Sequence, residues 1–370
     1  MAAALAGCIL FATGCIRHGS LSADGSEIRF SAGTSLLRDD VPDTKFGTLI
    51  SGTSFSNGSS FLVYGRRNTD ALIFSPREVS LSASLWGYTN PEYWEWTSSQ
   101  DYYDFLGLYL GDLYDPNRAS TPLPSCDTGD PMSASVSYDP SVDQFDLMLA
   151  GTRRTYNDPG GRTSAVALTF EHMLSAVKVK VINGSTSKSL TLTGYHFENL
   201  VSRGTAKVEA TYDQQGNPTF SWINTSRLAA SVGGTANLSA AQLTELGSLG
   251  FIPHNYGVTQ QNNTLDHNYY DLMIPQSHNE RIGVDGWPAL VLEYTPTGNS
   301  PTTARILLKD VYTDPELGEP TLISSWQRGK VYTYVIKPNL DGGVQIHVIT
   351  SDWDPVIAET PGLLLPGFDN

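Results

Sequence analysis

The sequence predicts an all-β protein built from two antiparallel β-sandwich domains with one short helix. Short runs of alternating apolar and polar residues recur along the chain, which is typical of strands with one face in a core. Turn-forming segments separate these runs, and the chain contains 34 Gly and 21 Pro. A hydrophobic content of 40% argues against disorder, and 370 residues suffice for two domains that each bury a core.

The first half of the chain supplies four predicted strands before a long polar stretch. They cover residues 27–30, 60–64, 71–74 and 79–81. Residues 115–163 are rich in Asp, Pro and Gly, so we expect mainly loops there, including an interdomain connection. The first sandwich domain is therefore predicted to span residues 15–163.

A stronger alternating pattern begins at Ser164 and predicts a second domain over residues 164–370. Residues 177–181 and 190–193 flank the turn Asn183-Gly184-Ser185, which predicts a hairpin. The short helix is expected from the capping box at residues 239–242, which is followed by two leucines. The remaining predicted strands cover residues 166–170, 290–294, 304–308, 330–336 and 344–349.

Residues 1–14 are uncharged and mostly apolar, which predicts the core of an export signal. The small residues before Cys15 resemble a bacterial lipobox, so Cys15 is predicted to be the lipidated residue. Cys8 lies in a closer lipobox match, but only seven residues precede it. Export signals usually have a basic segment before the apolar run, and none is present here, so we expect the true start codon to lie upstream. The alternative to lipidation is an ordinary secretory signal with an incidental cysteine.

The net charge and the cysteine content limit the kinds of function that the protein can have. The formal net charge is −15, and a nucleic-acid-binding protein needs a basic face. If Cys15 carries lipid, Cys126 is alone in the mature chain and has no partner for an internal disulfide. We therefore expect an exported, surface-exposed protein that does not bind nucleic acid.

No pattern in the sequence indicates catalysis or metal binding. Asp127-Thr128-Gly129 matches the aspartic-protease triplet, but it occurs once among loop residues and is interpreted as a turn. Asp139, Asp143 and Asp146 lack the Gly and Glu of a calcium loop and are expected in a solvated loop. His172 is in phase with neighbouring apolar residues and is expected in the core or at a sheet edge. The sequence predicts no enzyme, cofactor or metal site.

Nine aromatic residues lie between positions 86 and 109 and allow two interpretations. Flat rings with polar edges suit sugar binding, which makes Trp86, Tyr93, Trp94 and Trp96 candidate glycan contacts. Alternatively, the same rings pack in the core and hairpins of the first sandwich. Alternation places Trp94 and Trp96 on one face in either case.

Three blocks of residues resemble the fimbrillin-family lipoproteins of the Bacteroidales, which include the major and minor fimbrial subunits and their anchor and tip relatives. The blocks are Trp86-Gly87-Tyr88 with Pro91 to Trp94 and Tyr103-Asp104-Phe105; residues 170–177; and Asp271 to Gln276 with Trp326, residues 329–334 and Trp353. The resemblance implies two transthyretin-like sandwiches, export to the outer membrane as a lipoprotein, and subunits joined by strand donation.

In polymerising members of that family, an Arg-specific protease removes the first strand and opens a groove. Arg38 lies near the expected position and is the candidate cleavage site, with an ordinary loop arginine as the alternative. Pro361 and Pro366 interrupt the C-terminal tail and remove donors that a donated strand needs, which favours a tip, accessory or anchor subunit over a stalk subunit.

The resemblance therefore predicts a structural and adhesive fimbrial subunit at the cell surface. Its expected partners are other fimbrial subunits, the outer membrane through the lipid, and a ligand on a host or bacterial surface. The alternative function is a glycan-binding surface lipoprotein that uses the aromatic residues of positions 86–109.

Overall fold

The computed structural model confirms the all-β class. It describes residues 25–34, 43–44, 47–48, 55–68, 70–111, 124–140, 145–158, 164–181, 190–214, 216–227, 232–234, 271–281, 286–296, 300–315, 318–338 and 344–352. The one helical element whose bounds lie within these ranges is a single turn of 3-10 helix, Leu308–Asp310. No helix in the described part of the chain is long and apolar enough to cross a membrane. The helix predicted after residue 239 lies outside the described residues.

Twenty-three strands are present among the described residues. In chain order they are β1 Phe30–Thr34, β2 Asp43–Thr44, β3 Gly47–Thr48, β4 Ser60–Arg67, β5 Leu72–Ser82, β6 Leu85–Gly87, β7 Tyr102–Leu110, β8 Ser125–Asp127, β9 Ser133–Tyr138, β10 Leu147–Thr155, β11 Val166–His172, β12 Ser175–Val181, β13 Leu190–Glu198, β14 Val201–Tyr212, β15 Pro218–Arg227, β16 Val232–Gly234, β17 Asp271–Met273, β18 Gln276–Ser277, β19 Ala289–Pro296, β20 Thr302–Leu307, β21 Ser325–Trp326, β22 Lys330–Pro338 and β23 Val344–Asp352.

The N-terminal sandwich pairs a seven-stranded sheet with a four-stranded sheet. The larger sheet has the order β1-β11-β10-β7-β4-β5-β6, and the smaller has the order β15-β14-β9-β8. Apolar side chains between them form the inner core, which includes Leu106, Leu108, Ala134, Val136 and Val208. The opposite face of the large sheet carries a second cluster, the outer core, which includes Phe30, Phe61, Trp94, Phe105 and Phe170.

The C-terminal sandwich consists of two four-stranded sheets. Their orders are β17-β12-β22-β23 and β16-β13-β19-β20. Val177, Tyr334 and Val348 from the first sheet meet Phe197 and Leu292 from the second in one core. Among the described pairings, β1 with β11 and β12 with β22 are parallel and the others are antiparallel.

The sheets do not divide at the boundary predicted after residue 163. β11 pairs with β10 and β1 in the large N-terminal sheet, because its apolar side chains complete the outer core. β14 pairs with β9, which places the β14–β15 hairpin of the later chain in the N-terminal sandwich. Strand pairing therefore interleaves the two predicted sequence domains.

Three local predictions were wrong. Residues 115–163 contain β8, β9 and β10 as well as loops. The predicted hairpin between β12 and β13 is absent, because these strands lie in opposite sheets of the C-terminal sandwich. The separate strands predicted at 71–74 and 79–81 form one strand, β5, since the register with β4 shifts between Val63 and Gly65 and accommodates Pro76.

The other predicted strands are present. The segments predicted at 60–64, 166–170, 290–294, 304–308, 330–336 and 344–349 correspond to β4, β11, β19, β20, β22 and β23. The first predicted strand, at 27–30, begins later than expected, because β1 starts at Phe30 while Glu27 forms an isolated bridge with Tyr93.

Candidate functional site

The first described segment, residues 25–34, is hydrogen-bonded on one edge in its first part and on the opposite edge in its second part. On one edge, the Val166 N–H donates to the Arg29 carbonyl at 2.7 Å and β1 continues in parallel along β11. On the other edge, the Ile28 N–H donates to the Glu92 carbonyl at 2.8 Å. The segment therefore occupies a slot between β11 and the chain around residue 92, and its removal would leave unpaired backbone groups on both sides.

Alternate side chains of this segment point into the outer core. Ile28 and Phe30 are buried, whereas Arg29 and Ser31 between them are exposed. The Phe30 ring lies edge-on to four other rings, those of Phe61, Phe74, Tyr88 and Phe105, with centroids 5.5 to 6.3 Å away. The segment therefore combines backbone pairing with alternate side chains that fill an apolar space.

Tyr88 links this slot to the aromatic segment. Its hydroxyl donates to the Ile28 carbonyl at 2.6 Å and accepts the Glu92 N–H at 3.3 Å. Burial raises the pKa of Tyr88 to about 12, so the phenol keeps its proton at neutral pH. The hydroxyl thus joins the first segment and the opposite wall of the slot.

The four aromatic residues predicted as glycan contacts have different environments. Trp94 and Trp96 are only 1% and 5% exposed, and their rings stack with centroids 5.3 Å apart. Trp86 is half-buried against Phe61, and Tyr93 is 53% exposed. The burial of Trp94 and Trp96 supports the packing interpretation for these two rings, because neither presents a face to solvent.

Asp101 fixes the loop that carries these tryptophans. Its carboxylate accepts the Thr97 N–H at 2.6 Å, the Thr97 hydroxyl at 2.9 Å, the Ser98 N–H at 3.1 Å and the Asn68 amide at 3.3 Å. Burial alone would raise the pKa of Asp101, but these donors outweigh it and lower the pKa well below its usual range. The ionised carboxylate therefore closes the turn between Trp96 and β7.

Asp127-Thr128-Gly129 forms the turn expected from the sequence. The Asp127 carboxylate accepts the Gly129 N–H at 2.9 Å, and the carbonyls of Thr128 and Gly129 accept hydrogen bonds from Arg66. Cys126 beside this turn is half-buried, and burial raises the pKa of its thiol to about 11. Neither residue has the setting of a catalytic group.

Asp146 was expected in a solvated loop, and this was wrong. It is buried and its carboxylate lies 2.9 Å from Nδ1 of His172, which is also buried. This pair could not be predicted from the sequence, because its members are 26 residues apart in the chain and meet only where the ends of two strands lie side by side. His172 itself is buried at the end of β11, as expected for a core or edge histidine.

Two predicted site residues, Cys15 and Arg38, lie outside the described residues. Among the described residues, no group of three His, Cys, Asp or Glu side chains is arranged to hold a metal ion. The sequence also did not indicate that the chain around Glu92 pairs with the first segment. The alternation of apolar and polar residues from 27 to 30 was the only signal for the slot.

Comparison with known proteins agrees with this architecture. The family model described as fimbrillin-like matches residues 48–353, which is most of the chain. None of the curated proteins matches the sequence significantly.

Several solved structures align with this chain. A fimbrial protein from Bacteroides vulgatus aligns with a TM-score of 0.50 at 14% identity, covering 88% of this chain and 99% of its own. A protein assigned to cell adhesion from Bacteroides uniformis aligns with a TM-score of 0.48 at 16% identity, with the same coverage. The tip fimbrial protein Mfa3 from Porphyromonas gingivalis aligns with a TM-score of 0.36 at 12% identity, covering 80% of this chain and 95% of its own.

Proposed function

This chain belongs to the fimbrillin-like family, and from that membership we propose that it is a fimbrial subunit that joins its neighbours by exchange of the first strand. Membership of this family supports a role in a fimbrium at the cell surface. The observation that carries strand exchange is the slot between β11 and residue 92, in which residues 26–28 bond to residues 92–94 and residues 29–34 bond to β11. A donor strand from another subunit would restore the same backbone pairs and fill the position of Phe30.

Cleavage after Arg38 is proposed to release the first segment. Arg38 follows β1, which ends at Thr34, so a cut there leaves residues 25–34 held only by noncovalent contacts. Release would uncover the apolar residues of β11 and the four rings around Phe30. Because such a surface is costly to expose to water, a donor strand would be bound tightly.

Incubation of the folded protein with an Arg-specific protease tests the proposal. We expect cleavage to produce high-molecular-weight ladders that resist mild SDS, and we expect Arg38→Ala to remain monomeric under the same conditions. Monomer alone after cleavage of the unsubstituted protein would contradict strand exchange. Ladders that form equally from Arg38→Ala would show that Arg38 is not the processing site.

We propose that the subunit is a lipoprotein of the outer membrane, anchored through acylated Cys15. Two or more acyl chains give stable anchoring, at about 0.8 kcal/mol for each buried methylene group. Cys15→Ala should appear in the soluble fraction of the cells, whereas the matched control Cys126→Ala should stay with the membrane. Retention of Cys15→Ala in the membrane would exclude Cys15 as the lipidation site.

The C-terminal tail favours a tip, accessory or anchor role over a stalk role. A stalk subunit must donate a strand as well as receive one, and Pro361 and Pro366 remove two N–H donors from the tail. The proposed role is structural and adhesive, without catalysis.

A further inference from the structure

An open cavity of about 470 Å³ with polar and apolar walls lies at one end of the N-terminal sandwich, far in sequence from the first strand. It lies where β10 of the large sheet faces the turn between β14 and β15 of the small sheet. Its size is within the range of small-ligand sites. Its polar and aromatic lining residues are Asp130, Arg153, Thr155, Thr211 and Tyr212, and Pro131, Ala210 and Gly216 complete the wall.

Arg153 supplies a fixed donor to this cavity. Its Nε and Nη2 donate to the two oxygens of the buried Asp104 carboxylate at 2.7 and 3.0 Å. The guanidinium also lies 4.0 Å from the centroid of the Tyr102 ring. Nη1 has no hydrogen-bond partner among the described residues, so a rigidly held guanidinium keeps two N–H donors for a ligand.

Asp130 supplies an acceptor to the same cavity. One oxygen of its carboxylate receives Nη2 of the buried Arg66 at 3.4 Å, and the other oxygen has no partner in the described part of the chain. The side chain is 68% exposed, so this second oxygen remains solvated and accessible. The cavity therefore offers a ligand both hydrogen-bond donors, from Arg153, and a hydrogen-bond acceptor, from Asp130.

The charges around the cavity cancel. Arg66 and Arg153 carry two positive charges, and Asp104 and Asp130 carry two negative charges. An anionic ligand would meet Asp130 and a cationic ligand would meet Arg153, so the balance favours a neutral ligand with hydroxyl groups.

Tyr212 forms the aromatic wall of this cavity. Its ring centroid lies 5.2 Å from the Arg153 guanidinium, so the wall stands next to the donor. Its hydroxyl is buried beside the Asp104 carboxylate, and burial together with that charge raises the pKa of Tyr212, so the phenol keeps its proton.

We propose that this cavity binds a neutral sugar residue of a glycan. Vicinal hydroxyl groups donate to a carboxylate and accept from a guanidinium, which matches Asp130 and Arg153, and an aromatic wall suits the apolar face of a sugar ring. The site thereby assigns a class of ligand, neutral sugars, to the adhesive role proposed above. It does not depend on strand exchange, because the cavity is formed by the uncleaved chain, so the two proposals fail in different experiments.

A printed array of oligosaccharides ending in neutral hexoses, sialic acid or uronic acid tests the site with the full-length, uncleaved protein. We expect binding to neutral-terminated glycans that falls at least tenfold in Asp130→Asn and in Thr211→Trp, which fills the cavity mouth from an exposed position. Asp310→Asn is the matched control, since it makes the same change at an exposed carboxylate of the C-terminal sandwich, and it should bind as the unsubstituted protein does.

Four results would overturn the proposal. The first two are binding to none of the printed glycans and binding only to the acidic ones. The third is neutral-glycan binding that both Asp130→Asn and Thr211→Trp retain. The fourth is loss of binding in Tyr93→Ala instead, which would place the sugar on the aromatic segment. Circular dichroism of each variant establishes that it is folded before binding is measured.

Discussion

The hydroxyl of Tyr88 donates a 2.6 Å hydrogen bond to the main-chain carbonyl of Ile28, sixty residues earlier in the chain. The bond connects the segment that we propose to be exchanged with the aromatic segment that covers the large N-terminal sheet. Because the Tyr88 ring also lies against Phe30, one side chain contributes both a polar and an apolar contact to the first segment. The stability of the slot should therefore respond to small changes at Tyr88.

Tyr88→Phe removes the hydroxyl but keeps the ring. We expect the free energy of unfolding to fall by about 1 kcal/mol, the usual net value of a buried hydrogen bond, because the Ile28 carbonyl loses its donor. Urea denaturation measures the change. Tyr93→Phe is the control, since Tyr93 is largely exposed and should change stability by less than about 0.5 kcal/mol. Equal effects of the two substitutions would contradict the role of the Tyr88 hydroxyl.

Trp94→Ala should destabilise the protein by about 3–5 kcal/mol, because it removes a buried indole from a stack of rings. Tyr93→Ala, one residue earlier on the exposed face, should cost far less. Thermal unfolding of both variants measures the difference. A Trp94→Ala protein as stable as Tyr93→Ala would mean that Trp94 is available for another role, such as the glycan contact predicted from the sequence.

Asp101 should make stability depend on pH in the acid range. Its folded-state pKa is lowered, so its contribution is fully present above the unfolded pKa of about 3.9 and is lost as the pH falls through the folded value. Asp101→Asn should cost about 1–3 kcal/mol at pH 7 and flatten the loss of stability below about pH 4. Urea denaturation between pH 7 and pH 2 measures both effects. The control Asp310→Asn, at an exposed position, should leave the dependence of stability on pH unchanged. If the stability of Asp101→Asn fell as steeply with decreasing pH as that of the unsubstituted protein, the account would be contradicted.

Asp104→Ala should be among the most destabilising single substitutions in the N-terminal sandwich. It leaves the guanidinium of Arg66, only 1% exposed, without the buried carboxylate 3.8 Å away, and it removes both hydrogen bonds of Arg153 to that carboxylate. A cost of about 3–5 kcal/mol is expected from denaturation. Arg203→Ala breaks an exposed ion pair with Asp139 and should cost at most about 1 kcal/mol. Similar losses of stability in Asp104→Ala and Arg203→Ala would contradict the claim that burial makes the ion pairs of Asp104 important for stability.

The predictable parts of the fold are strands with one face in a core. β11, β19, β20, β22 and β23 include such runs, and their alternation or apolar character is visible in the sequence. β10 was missed because the large sheet is covered on both faces: Leu147 and Leu149 lie in the inner core, and Met148 and Ala150 lie in the outer core. A strand buried on both sides loses the alternating pattern.

The pairing of strands that are distant in the chain was the second feature of the fold that could not be predicted from the sequence. A turn between β12 and β13 does not show whether the second strand pairs with the first or crosses to the opposite sheet. The addition of β14 to β9, and the slot around the first segment, likewise depend on contacts between distant parts of the chain. For the candidate site, the aromatic residues were visible in the sequence, but their division into buried and exposed rings required the structure.

The most direct test of strand exchange is the binding of a synthetic peptide of residues 25–34 to the protein after cleavage at Arg38. Fluorescence anisotropy of the labelled peptide should show saturable one-to-one binding to the cleaved protein from which the first segment has been removed, and none to uncleaved protein. The Phe30→Ala peptide should bind at least tenfold more weakly, because it leaves the space among four rings empty, whereas the Ser31→Ala peptide should bind normally. Absence of binding to the cleaved protein, or equal binding of the Phe30→Ala peptide, would contradict the account.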